Sequence, residues 1–184
     1  MSKDICVVVD MINGFINEGP LADPSINQIV PKTKSIIDSF LKEGKDVLSF
    51  QDAHSETTLE FENYPPHCLK GTSQSELIPE LKVYESHMTR IEKDTTNGFF
   101  AFGFQNYLND NPDLHSVTVV GCCTDICVLQ FVQSLKTYTQ TIGKELTINV
   151  VEGAVATYGA PGHDQTLYHT QALSLMKNAG IKII

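Results

Sequence analysis

The run Ile5-Cys-Val-Val-Val9 is apolar at five consecutive positions and stops abruptly at Asp10. A strand with apolar side chains on both faces must be covered on both, and parallel sheets flanked by helices are where such strands occur. The same signature returns in Ser116-Val-Thr-Val-Val-Gly121 and in Thr147-Ile-Asn-Val-Val151. Asp46-Val-Leu-Ser-Phe50 and Ile181-Lys-Ile-Ile184 are weaker versions, and His87 to Glu92 reads as a more polar third strand. Between these runs the apolar residues switch to helical spacing. Ile26, Ile29, Val30, Thr33, Ile36, Ile37, Phe40 and Leu41 recur in this way, with Gly44 at the helix end. Phe99 to Leu108, Val128 to Tyr138 and Tyr168 to Ala179 do the same, the last stopped by Gly180. Strands alternating with helices predict an α/β fold: one domain over residues 1–184, with three α/β/α layers around a mostly parallel six-stranded sheet. Residues 51–80 show no period, and an irregular stretch of that length inside a domain is usually functional.

Composition narrows the partners. The net charge is 13 − 22 = −9, which argues against nucleic acid because phosphate backbones are repelled. Ile5 to Val9 is too short for a membrane span or a signal-peptide core, so no membrane partner is expected. Five cysteines are an odd number without the density of a disulfide scaffold. They predict free thiols in a reducing cytoplasm. Homo-oligomerisation is left open.

In such a sheet, ligands sit beyond the carboxyl ends of the strands. Asp10 follows the first strand, Asp52 and His54 the second, and Lys93 the third. Gly121-Cys-Cys-Thr-Asp-Ile-Cys127 follows the fourth and opens a helix. Cys127 therefore falls at a helix start, where unpaired N–H groups and the dipole favour a thiolate and an oxyanion alike. Taken singly, Cys127 also fits a small apolar residue in a buried turn, and a lone Asp or Lys fits a solvated loop charge. The trio is informative because all three members end strands of one sheet. A carboxylate ending a buried strand is paired or working, and Lys93 can pair with Asp10. A neighbouring cation suits a thiolate, and a carboxylate of raised pKa can serve as base and then acid. Cys122 and Cys123 lie at the strand end, Cys6 belongs in the core, and Cys68 has no assigned role.

Asp52-Ala-His54 places two ligand types two residues apart, on one side of an extended segment. Glu60 and His67 follow in the irregular stretch. Two imidazoles and one or two carboxylates suit a single divalent ion: zinc first, with manganese or iron(II) as alternatives. Asp-x-His also occurs in loops by chance. His87, His115, His163 and His169 do not cluster and read as surface or capping residues.

Taken together and in order, these motifs resemble the isochorismatase-like cysteine hydrolases, and among them the nicotinamidases. The resemblance spans nearly the whole chain. It rests on Val9-Asp10 with Phe15, and on Asp52-Ala-His54 followed by Pro65-Pro66-His67 and Gly71-Thr72. It continues through Lys93 to Gly121-x-x-Thr124-Asp125-Ile126-Cys127-Val128. It implies the Rossmann-like hydrolase fold of that family, a catalytic triad of Asp10, Lys93 and Cys127, and metal ligands Asp52, His54 and His67. Glu60 resembles a fourth ligand present in some members. The resemblance further implies a cis peptide at Cys122–Cys123, which would set the Cys123 N–H beside that of Cys127 as an oxyanion hole. Phe15 and Tyr64 become the candidates to face a substrate ring. Two departures concern the substrate pocket: Thr96 stands where the family often has an aromatic residue, and the chain has no tryptophan.

The implied reaction is hydrolysis of nicotinamide, and of pyrazinamide, to the acid and ammonia through a Cys127 thioester, a step of NAD salvage. Isochorismatases proper usually lack this cysteine, since vinyl-ether hydrolysis needs no covalent nucleophile. Two rivals stand beside this reading: a relative acting on another small amide or carbamoyl compound, and a metal- or ligand-binding protein without turnover.

Overall fold

The computed structural model describes residues 3–184. Its strands are β1 (Lys3–Val9), β2 (Asp46–Asp52), β3 (Thr89–Lys93), β4 (Leu114–Cys122), β5 (Thr147–Ala156) and β6 (Lys182–Ile183). They form one sheet in the order β3-β2-β1-β4-β5-β6, with every neighbouring pair parallel. The helices are α1 (Asn13–Ile16), α2 (Val30–Lys42), α3 (Phe102–Asp110), α4 (Leu129–Thr141) and α5 (Gln165–Asn178).

The strict alternation of β1 explains why its run is apolar throughout. Ile5, Val7 and Val9 face a core built from Phe104 of α3, Phe131 and Leu135 of α4, and Met176 of α5. Cys6 and Val8 face the opposite core, with Phe15 of α1, Ile37 of α2, and Leu77 and Ile78. Helices thus cover both faces, as expected for three layers. The sheet reverses its winding between β1 and β4, and ligands in such folds bind at that crevice.

Two helices begin later than the apolar spacing suggests. The periodic stretch from Ile26 to Leu41 divides into a 3₁₀ turn, Pro24–Ile29, and α2. Pro31 lacks the N–H that would continue a helix from the preceding turn, so it sits near a helix start instead. Phe99 and Phe100 lie in a separate turn, where the Asn97 side chain accepts from the Phe99 N–H at 3.1 Å. Gly98 packs so closely on the Phe50 ring that a Cβ would come within 2.4 Å of it, and α3 begins only at Phe102.

The irregular stretch after β2 returns onto that strand's end. His54 donates its N–H to the Cys68 carbonyl at 2.9 Å, and Lys70 donates to the His54 carbonyl at 2.9 Å. No helix among the described residues is long and apolar enough to cross a membrane.

Candidate active site

Four strand ends deliver the candidate residues to one place. Asp10 leaves β1 with φ 51°, a left-handed conformation that aspartate tolerates better than most side chains. Its N–H donates to the Phe50 carbonyl at 3.0 Å, which fixes it against β2. Asp52 and Lys93 are the last residues of β2 and β3 and pair in register. Cys127 lies in a π-helical turn, Thr124–Val128, that links the end of β4 to α4. The Cys122–Cys123 peptide is cis.

Lys93 is the hub of the group. Its ammonium lies 2.8 Å from Asp10 Oδ2, is hydrogen-bonded to Asp52 Oδ1, and stands 4.0 Å from the Cys127 sulfur. All four groups are buried. Burial alone would strip the proton from Lys93, but Asp10 and Asp52 outweigh it and hold the ammonium well above its ordinary range. One cation serving two carboxylates leaves a surplus negative charge, and the environment decides which carboxylate yields. Burial opposes ionisation of Asp52, yet Lys93, His54 and His67 outweigh it and hold the carboxyl well below its usual range. Asp10 lacks the imidazoles. Burial pushes it up to about 7 despite Lys93, with Asp52 adding repulsion. Among the described residues its Oδ1 has no hydrogen-bond partner. Burial also pushes the Cys127 thiol well up, and Lys93 only partly opposes this. The site therefore holds a buried thiol in one group with a carboxyl whose pKa is raised to about 7.

The second cluster shares Asp52. His54 Nε2 lies 3.2 Å from His67 Nε2, 3.5 Å from Asp52 Oδ2 and 3.6 Å from Glu60 Oε1. His67 Nε2 lies 3.8 Å from both carboxylate oxygens. The opposite ring nitrogens are committed: His54 Nδ1 to Asp94 Oδ1 at 3.0 Å, and His67 Nδ1 to the Pro65 carbonyl at 2.8 Å. With both Nδ1 atoms committed, the two Nε2 atoms turn toward each other and toward Asp52 Oδ2, the side of each ring that can take either a proton or a metal ion. A cation between them resolves that arrangement. A tetrahedral site with ~2.0–2.2 Å arms has edges of ~3.3–3.6 Å, close to the spacings found. The donor set fits one divalent metal, and Asp94 and Pro65 supply the outer contacts that orient ligating imidazoles.

Both clusters open into one cavity of about 480 Å³, lined among others by Phe15, Glu60, Tyr64, His67, Thr96, Cys123 and Cys127. Thr96 lines this cavity and hydrogen-bonds Gln130 at 2.7 Å. A profile of the Isochorismatase domain matches residues 4–184. Nicotinamidase 1 of Arabidopsis thaliana is 31% identical over 97% of this chain and 84% of its own length. The chain belongs to the isochorismatase family. Among solved structures, nicotinamidase from Bacillus subtilis superposes with a TM-score of 0.83 at 26% identity, covering 98% of both chains. N-carbamoylsarcosine amidase from Thermoplasma acidophilum gives 0.80 at 27% identity, covering 98% of this chain and 95% of its own. Family membership with these relatives makes the chain an amidohydrolase-type enzyme.

This isochorismatase-family site contains residues that the motifs did not reveal. Asp94, which orients His54, adjoins a strand-end lysine, but nothing local ties it to a histidine forty positions earlier. Phe61 stacks edgewise on His54 with centroids 5.4 Å apart. His163 and His169 are not free surface or capping groups. His169 is half-buried and hydrogen-bonds the fully buried Thr124 at 3.0 Å through Nδ1. His163 lies stacked between Tyr158 and Tyr168. Cys6 is in the core as expected, and Cys68 is buried with φ 46°.

Proposed function

We propose that this chain hydrolyses the carboxamide of nicotinamide, and of pyrazinamide, to the acid and ammonia in NAD salvage. The observation that carries the reading is a shared cavity. A buried Cys–Lys–Asp group and a ligand quartet suited to a divalent ion open into the same space and share Asp52.

Asp10 takes the proton of the Cys127 thiol, and the sulfur attacks the amide carbon. The N–H groups of Cys123 and Cys127 hold the oxyanion. Asp10 returns the proton to the departing ammonia and then serves as base for the water that cleaves the thioester. Lys93 orients Asp10 and stabilises the thiolate. Phe15 and Tyr64 face the substrate ring. Asp52, His54, Glu60 and His67 would hold one divalent ion, zinc first on donor chemistry, which would supply an anchoring position for the pyridine nitrogen. The five free cysteines accord with a reducing cytoplasm.

A second reading, hydrolysis of an N-carbamoyl compound, is favoured by the likeness to N-carbamoylsarcosine amidase. Ammonia release from nicotinamide, pyrazinamide and a set of carbamoyl amino acids separates the two. Preference for a carbamoyl compound would move the assignment. Cys127→Ala should retain less than about a hundredth of the rate on any of them, since losing the nucleophile of such a triad costs more than that.

A further inference from the structure

Tyr158, Gly159 and Ala160 line the same cavity as a wall that no motif singled out. The chain turns immediately after it. Ala160 donates its N–H to the His163 carbonyl at 3.1 Å, and His163 donates to the Ala160 carbonyl at 2.9 Å. Proline in second place and Gly162 at φ 81° in third are the sequence of a type II turn. The turn returns His163 beneath Tyr158. Their rings are 4.0 Å apart and inclined by only 7°. Tyr168 of α5 covers the other face, with centroids 3.8 Å apart.

The imidazole edge is held as well. His163 Nδ1 lies 3.0 Å from the Tyr158 carbonyl, and Nε2 lies 2.8 Å from Asp125 Oδ2, so each N–H the ring carries has an acceptor in place. The other Asp125 oxygen accepts from the Thr157 hydroxyl. The Gly159 N–H donates to Asp23 Oδ2 at 2.8 Å, which ties the wall to the segment after α1. Asp125 lies two residues before Cys127, in the same π-helical turn. One carboxylate therefore joins the turn that carries the sulfur to the turn that carries the wall.

We propose that Asp125 and His163 are positioning residues that hold the Tyr158–Ala160 wall at a set distance from Cys127, and so determine how an aromatic amide is seated. The inference rests on the reading that Cys127 attacks such an amide in this cavity. Neither residue touches the sulfur or enters the proton path. Their loss should loosen substrate seating more than it slows chemistry.

The test is steady-state kinetics of Asp125→Ala, His163→Ala, the double variant and His163→Phe, with melting temperatures and the rate of Cys127 alkylation by iodoacetamide. His163→Phe keeps a ring between the tyrosines but gives up both hydrogen bonds. It also lies outside the nucleophile turn, so it serves if Asp125→Ala does not fold. Each single variant should raise KM for nicotinamide about tenfold, with kcat and alkylation within about threefold of wild type. The double variant should be no worse than about twice either single one, because the two act through one contact. Unchanged KM in both His163 variants overturns the proposal. So does a fall in kcat with KM untouched, which would mean the residues only support the nucleophile turn. If the wild type hydrolyses another amide of the panel but not nicotinamide, the functional reading fails and the wall is judged by KM for that amide. If it hydrolyses none, both fall.

Discussion

Lys93→Met removes the cation of the site while keeping most of the side-chain volume. The ammonium stands 4.0 Å from the Cys127 sulfur. At that distance a unit charge is worth ~4 kcal/mol at an effective dielectric of about 20, equivalent to ~3 pKa units on the thiol. This is a ceiling. Without Lys93, Asp10 holds its proton more tightly, so a negative charge leaves the site together with the positive one. Alkylation of Cys127 by iodoacetamide at a fixed pH near 8 should therefore slow by between ~10-fold and ~1000-fold, in proportion to the lost thiolate. Mass spectrometry of the Cys127 peptide measures that rate apart from the other buried cysteines. The double variant Lys93→Met/Asp10→Asn also removes the Asp10 carboxylate, leaving one buried carboxylate instead of two without the cation, and supplies a comparison if the single variant melts early. A folded variant alkylated within about threefold of the wild-type rate would refute the argument, because no thiolate stabilisation would then come from Lys93.

Asp10 should govern the acid limb of the pH profile. Burial raises it to about 7, so below that pH it holds a proton and cannot accept one from Cys127. The rate at saturating substrate should rise as pH increases through that value, and a flat profile down to pH ~5 would contradict the assignment. Asp10→Asn should lose ~10²–10⁴-fold in activity, because an amide cannot shuttle the proton. His54→Ala should lose the bound divalent ion, measured by metal analysis, and weaken nicotinamide binding, while Cys127 alkylation stays within about twofold. Full metal occupancy in that variant would count against the quartet. Gly121→Ala should cost more than ~4 kcal/mol and abolish soluble expression. At φ 114° a Cβ there would lie 2.0 Å from the Val9 carbonyl oxygen. Wild-type melting in this variant would contradict the close approach of β4 to β1.

The layers and the sheet were readable because both-face apolar runs such as Ile5 to Val9 admit few burials. The site was readable for a related reason. Strand ends share one edge of a parallel sheet, so Asp10, Asp52, Lys93 and the Cys127 turn had to converge once the strands were placed. Asp52 and His54 share a side because alternate residues of an extended segment do. Helix starts were less legible, since apolar spacing continues through Pro31 and Phe99 while the backbone hydrogen bonds do not. The tertiary structure alone decided which carboxylate stays ionised. Asp10 and Asp52 look alike in sequence, each an aspartate at a strand end, and only the imidazoles folded over Asp52 separate them. It also decided the places of Asp94 and His163, because their partners His54 and Asp125 are about forty positions away along the chain. Local pattern reports which face a residue takes within its own element. The group it meets there is set by how distant elements pack.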